Sequence, residues 1–325
     1  MATTAQMSQP RRPPARGLLG GSGPDAAFRW TTFGFGVLLL ALIGLTILVL
    51  IQGSGQSFQR FGLGFLVGTL WDPHDQIFGA LPFIYGTVVS SVLALLIATP
   101  ISLGVAIFLV EMAPHHLGNG ISALVELLAA IPSVLLGLWG IFVMVPFLQH
   151  WLEPALQTAF PDLPLFTGAP YGVGLLAAGL ILAIMIIPTI VAISRDVMAT
   201  VPVAQREAML ALGATHWETT QRAVLPYAKS GIIGAMVLGL GRALGETMAV
   251  TMVIGNRPVI SPSLLEPSYT MASVIANEFT DATYSLYVSA LIELGLVLFA
   301  ITIVMNIVAR LLVYQTGRAM VQGER

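Results

Sequence analysis

From Trp30 to Gln59 the chain carries no charged residue, and the apolar part of this stretch, which runs to about Ile51, has the roughly 20 residues needed to cross a bilayer. Further apolar stretches follow near 82–110, 121–148, 172–194, 230–254 and 286–312. Six such segments read as six spanning helices, and with 56% hydrophobic and only 9% charged residues no ordinary soluble domain is compatible with the chain. The expected fold is an all-α integral membrane protein of about six transmembrane helices over 29–315. A Pro/Gly-rich arm over 1–28 is expected to be disordered, and 316–325 forms a short tail. Because four arginines precede the first span and no small-residue cleavage site follows it, it reads as a retained helix rather than a cleaved signal.

Even parity places both termini on one side. Eleven of the fourteen Lys and Arg residues fall in the N-terminal arm, the 195–229 loop and the tail, whereas the opposite side holds Arg60 and Arg257. The positive-inside bias makes the termini and the 195–229 loop cytoplasmic. A net charge of -2 offers no basic surplus to nucleic acid. The absence of cysteine removes disulfides, thiolate metal sites and Cys nucleophiles, and five scattered histidines argue against a metal enzyme. Pro100, Pro132 and Pro188 fall inside the expected spans, where kinks are anticipated.

The 195–229 loop is the most patterned polar segment. Thr200-Val-Pro202 reads as a helix start, and a short helix to about Leu212 follows. Gly213 breaks it, Thr215-His-Trp-Glu218 reads as a capping box opening a second short helix, and Pro226 marks a bend into span five. Val203, Ala208, Leu212 and Trp217 are more apolar contact than a lone hairpin can bury, which suggests a helix seated in another protein's groove. The only lysine, Lys229, lacks the glycines of a phosphate-cradling loop, so the chain carries no P-loop ATPase site of its own.

Span five carries Arg242 and Glu246 four residues apart, an arrangement that in one helix puts both on one face. Charges at such depth cost about 2.5 to 3.5 kcal/mol each on insertion scales and belong against the bundle interior or a water-filled path. A guanidinium fork there suits an oxyanion, with the carboxylate holding the fork in place. Gly241-x-x-x-Gly245 permits close helix approach.

Glu207-Ala208, Gly213 and Leu225-Pro226 resemble the EAA loop of bacterial ABC importer permeases, with Met209 and Ala223 departing from the usual pattern. The run from Gly241 to Val250 with Gly255-Asn256 resembles the phosphate-specific importer permeases of the PstC type. So do Glu126 with Ala130-Ile-Pro-Ser133, Gly137-Leu-Trp-Gly140, and Thr270 to Phe279. The likeness covers most of 80–315. It implies the MetI-like permease fold with a cytoplasmic coupling-helix loop in a bacterial inner membrane, no enzymatic activity, and phosphate import powered elsewhere. It also implies a PstA-type sister permease, two PstB-type ATPases that carry the ATP and Mg, and an external PstS-type phosphate-binding protein. No cofactor is implied on this chain. On this resemblance Arg242 and Glu246, with Glu126, are expected along the substrate path, and Glu207, Ala208, Gly213, Leu225 and Pro226 at the ATPase contact. Glu293 is expected to be structural. Asp72, His74 and Asp75 read as a solvated turn, His115-His116 as a loop pair, and Trp30, Trp71 and Trp151 as interfacial anchors in membrane lipid. Two other readings stay open from the residues alone: an ABC permease for sulfate, molybdate or a phosphonate, and a proton-coupled transporter relaying through Arg242, Glu246 and Glu293.

Overall fold

α1 (Gly23–Gly53) is one unbroken apolar helix, which satisfies its backbone internally as a spanning segment must. The computed structural model describes residues 23–322, so the expected disordered arm lies outside the described residues as far as residue 22, and from Gly23 onward it is helix. The chain up to Val49 forms one unit and the chain from Leu50 a second. In the second, α2 (Gly55–Phe61) and a helical turn at Gly64–Val67 lead into a small hairpin of β1 (Trp71–Asp72) and β2 (Ile77–Phe78), with Trp71 opposite Phe78. The Asp72 carboxylate accepts from the backbone N–H groups of His74 and Asp75, closing the turn. Trp30 and Trp151 are 64% and 72% exposed in the single chain. Trp71 is not an anchor: it packs edge-on against Phe78 and Phe83 and donates its indole N–H to Glu278.

The rest of the chain is α3 (Leu81–Met112), α4 (His115–Ala130), α5 (Ser133–Ala159), α6 (Leu175–Ala199), α7 (Val203–Ala211), α8 (His216–Leu244), α9 (Met248–Val253), α10 (Met271–Glu278) and α11 (Ser285–Gln322). Among the described residues six helices are long and apolar enough to cross a bilayer: α1, α3, α5, α6, α8 and the Ser285–Val308 part of α11.

Two spans differ in their limits from the sequence expectation. The third begins at Ser133 rather than near 121, because Ile131 and Pro132 take extended backbone between α4 and α5. A proline disfavours helix at the residue before it, so Pro132 separates two helices instead of kinking one. His115 and His116 accordingly open α4 and are not a loop pair. The fifth runs over His216–Leu244 rather than 230–254. The helix is not broken at Pro226: the widened turn Thr220–Val224 precedes the proline and the helix continues through it. Pro100 and Pro188 lie inside α3 and α6 as expected.

α6 is the hub: 67% of its apolar window is buried, against 22 to 33% for the other spans of this unit. α3 and α8 pack along it, with Ala94 and Ala98 of α3 and Ala235 and Ala243 of α8 against Ile181, Ile186 and Ile190. Small residues on the flanking helices bring backbones close, which is how helices associate where lipid is as apolar as leucine. A second cluster, built on Phe78, Phe83, Tyr269 and Tyr287, joins the hairpin and α10 to the start of α11. A third, of Ala106, Met198, Val201, Val224, Ala228 and Ile232, ties the ends of α3 and α6 to the beginning of α8.

Candidate functional site

α8 ends at Leu244, and Gly245, Glu246 and Thr247 form a non-helical joint before the six residues of α9. The fifth apolar segment is therefore a broken helix. The break is built by its neighbours as much as by Gly245: Gly137 and Gly140 of α5 leave room for α9. A Cβ at Gly137 would stand 2.5 Å from the Met252 sulfur, and one at Gly140 would stand 2.8 Å from Val253. The Gly137 N–H and C=O are in α5, so the two glycines serve close approach and not a turn.

The break changes the geometry expected for the charged pair. Glu246 is not on a helical face with Arg242; its carboxylate accepts from the Ala249 N–H at 3.2 Å and so caps α9. No ion pair joins the two, and Arg242 has no hydrogen-bond, ion-pair or ring partner among the described residues. Depth can be read from the neighbour helix. Gly239 packs on Ile186 and Ile190, about 17 to 23 Å along α6 from its first residue and hence in its middle. Arg242 follows within one turn. An exposed guanidinium without a partner among the described residues thus stands level with the middle of α6, beside the break that ends α8. Leu238, one turn before Arg242, is 59% exposed, so this face of α8 is open in the single chain.

The loop after α6 is folded largely as expected. α7 ends at Ala211, Gly213 adopts φ +85, and the N–H groups of Leu212, Gly213 and Ala214 return to carbonyls of α7. The capping box is present: the Thr215 hydroxyl accepts from the Glu218 N–H, and the Glu218 carboxylate accepts from the Thr215 N–H at 2.8 Å. Glu207 and Ala208 are exposed, as are Val203 (63%), Leu212 (84%) and Trp217 (55%). Leu225 instead packs into the third cluster, while Pro226 is exposed.

Arg206 is the loop residue whose role sequence reasoning missed. Its guanidinium donates from Nε and Nη2 to Glu111 at 3.2 and 2.9 Å, from Nη1 to the Val201 carbonyl at 2.6 Å and from Nη2 to the Met198 carbonyl at 2.9 Å. One side chain thus bolts α7 to the last turn of α3 and the end of α6. The only local signal was an arginine inside the loop motif; its partner lies 95 positions away.

Glu126 lies outside the spans. It sits on α4 with its side chain 68% exposed and 3.9 Å from Arg195, a pair of little energetic weight. Glu293 is buried in α11, but the hollow beside Gly241 is lined by Met305 and Asn306. That level is twelve residues from Glu293, about 18 Å along the helix. Arg242, Glu246 and Glu293 therefore form no contiguous proton relay.

Residues 98–320 match the family described as binding-protein-dependent transport system inner membrane component. The phosphate transport system permease protein PstC of Mesorhizobium japonicum is 49% identical over 88% of this chain and 89% of its own length, and that of Pasteurella multocida is 50% identical over 89% and 91%. A probable phosphate transport system permease protein PstC from Methanocaldococcus jannaschii is 37% identical over 78% and 82%. The inward-facing MetNI methionine ABC transporter shares the fold at TM-score 0.57 and 17% identity, over 76% of this chain and 99% of the other. A bacterial ABC transporter for import of the acidic polysaccharide alginate does so at TM-score 0.54 and 18% identity, over 86% and 98%. The chain is thus an ABC permease subunit of the inner membrane and belongs to the binding-protein-dependent transport components, in the group of PstC permeases.

Proposed function

We propose that this chain is a subunit through which inorganic phosphate is imported by alternating access, with Arg242 receiving the anion and ATP hydrolysed on separate partner subunits. The observation that carries the reading is Arg242 itself, a permanent cation level with the middle of α6 and exposed in the single chain. Guanidinium is the side chain whose planar fork best matches a phosphate, and a helix broken near the bilayer midplane is a recurrent way of building a transport site. That the relatives at about 50% identity are named phosphate permeases supports phosphate over sulfate, molybdate or a phosphonate.

The partners in this reading are a PstA-type sister permease against the open face of α8, two PstB-type ATPases at α7, and a PstS-type binding protein on the far side. Both termini and the α7 loop face the cytoplasm. Glu207, Ala208 and Gly213 meet the ATPase directly, whereas Leu225 anchors the loop to the bundle. Glu246 acts through the joint that it caps, and Glu126 belongs to the cytoplasmic approach to the path rather than to the span.

Coupling is mechanical. Because α8 is continuous from His216 to Leu244, a push on the loop travels about 43 Å along one helix to the joint beside Arg242. Through Arg206 the same push reaches α3 and α6. Arg206→Met keeps the aliphatic stem but leaves Glu111 and the Val201 carbonyl without their partner, at a cost of about 2 to 3 kcal/mol. Thermal unfolding of the purified complex should show a lowered Tm, and adding Glu111→Gln should lower it little further. Fully additive losses would mean the pair does not act as one unit. Affinity purification of the chain from native membranes tests the assembly: a nucleotide-binding subunit should co-purify, and a chain isolated without any ATPase partner would defeat the proposal.

A further inference from the structure

Glu293 is an ionisable group that the transport path does not use. It is 4% exposed, its Oε2 has no hydrogen-bond partner, and the Ser57 side chain of α2 faces it. Leaving a buried carboxyl oxygen unsatisfied in an apolar setting is costly, so something that can bond to it is expected there. A cleft of about 390 Å³ opens at this group. It is walled by Phe58, Leu63 and Leu66 on one side and by α11 from Glu293 to Val304 on the other.

The geometry points to a phospholipid of the adjoining leaflet as the occupant, with one acyl chain in the cleft and its glycerol ester region at Glu293. Three observations fit this occupant. From Glu293 to Val304 is eleven residues, about 16 Å of helix, which matches one leaflet of a hydrocarbon core about 30 Å thick. Apart from Glu293 every residue lining the cleft is apolar, which suits an acyl chain. α2 also has the make-up of a headgroup-level helix. Gln56, Gln59 and Arg60 are exposed beside the apolar Phe58, which lines the cleft, and Arg60 donates to Gln76 in the hairpin turn. Since Ser57 belongs to α2, Glu293 stands just below that level, at the glycerol region of such a lipid.

The test uses the assembled transporter in vesicles containing a phospholipid with a diazirine midway along one acyl chain, followed by peptide mass spectrometry of this chain. Cross-links should concentrate on 293–304 and 58–66, several-fold above the exposed α3 surface around Leu96. Ala300→Trp, which fills the cleft from an exposed position, should remove most of them while phosphate uptake and the Leu96 signal persist. Leu66→Trp supplies a second filling variant from the opposite wall. Cross-links spread evenly over the lipid-facing helices, or unchanged by both variants, would overturn the assignment. So would a photoreactive residue at Leu296 that captures a polypeptide instead of lipid.

Discussion

Replacing Arg242 with glutamine should reduce phosphate uptake at least about 100-fold with the chain still present at normal abundance in the membrane. The size follows from the bonds at stake. Two charge-assisted hydrogen bonds to an oxyanion contribute about 1.5 to 3 kcal/mol each, and every 1.4 kcal/mol is about tenfold in affinity. Folding should not suffer, because Arg242 is exposed and holds no partner among the described residues. Arg242→Lys keeps the charge but loses the fork and should fall between the two. Glu246→Gln should be mild, since an amide oxygen can still accept from the Ala249 N–H and keep α9 capped. Uptake that is unimpaired in the glutamine variant, at matched abundance, would make Arg242 a structural residue and move the anion site elsewhere.

Gly213→Val should leave ATP hydrolysis running while transport stalls. At φ +85 a residue with a Cβ costs about 1 to 2 kcal/mol, and a β-branched one more. Nothing lies within 4 Å of where that Cβ would be, so the penalty is backbone strain and not collision. Relieving the strain reorients α7 relative to the capping box at Thr215, and the ATPase then pushes on a helix no longer aligned with α8. Asparagine tolerates the left-handed region, so the series Asn, Ala, Val should show rising ATP consumed per phosphate imported. Equal coupling ratios across the series, measured in proteoliposomes, would remove Gly213 from the transmission path.

The spans were legible because length and apolarity are local properties, and the loop was legible because glycine stops and capping boxes are local too. Gly213 and Thr215–Glu218 fold as their chemistry dictates. The limits of spans three and five were not legible. Pro132 inside an apolar run has the same appearance whether it kinks one helix or separates two, and only the extended backbone at Ile131 decides. Arg242 and Glu246 look like neighbours on a helical face; the joint at Gly245 depends on α9 packing over Gly137 and Gly140, more than 100 positions earlier. Arg206 and Glu111 meet through tertiary packing alone. Glu293 could be recognised as a buried acid in an apolar run, but its cleft forms only when α2 folds beside α11.

The most direct measurement is labelled phosphate uptake in cells lacking this chain and restored with it, with the proton gradient collapsed, ATP kept high and sulfate in excess. An ATP-driven phosphate permease predicts that uptake continues under all three conditions at close to its unperturbed rate. Uptake that stops with the gradient while ATP remains high, or that excess sulfate displaces, would contradict the account.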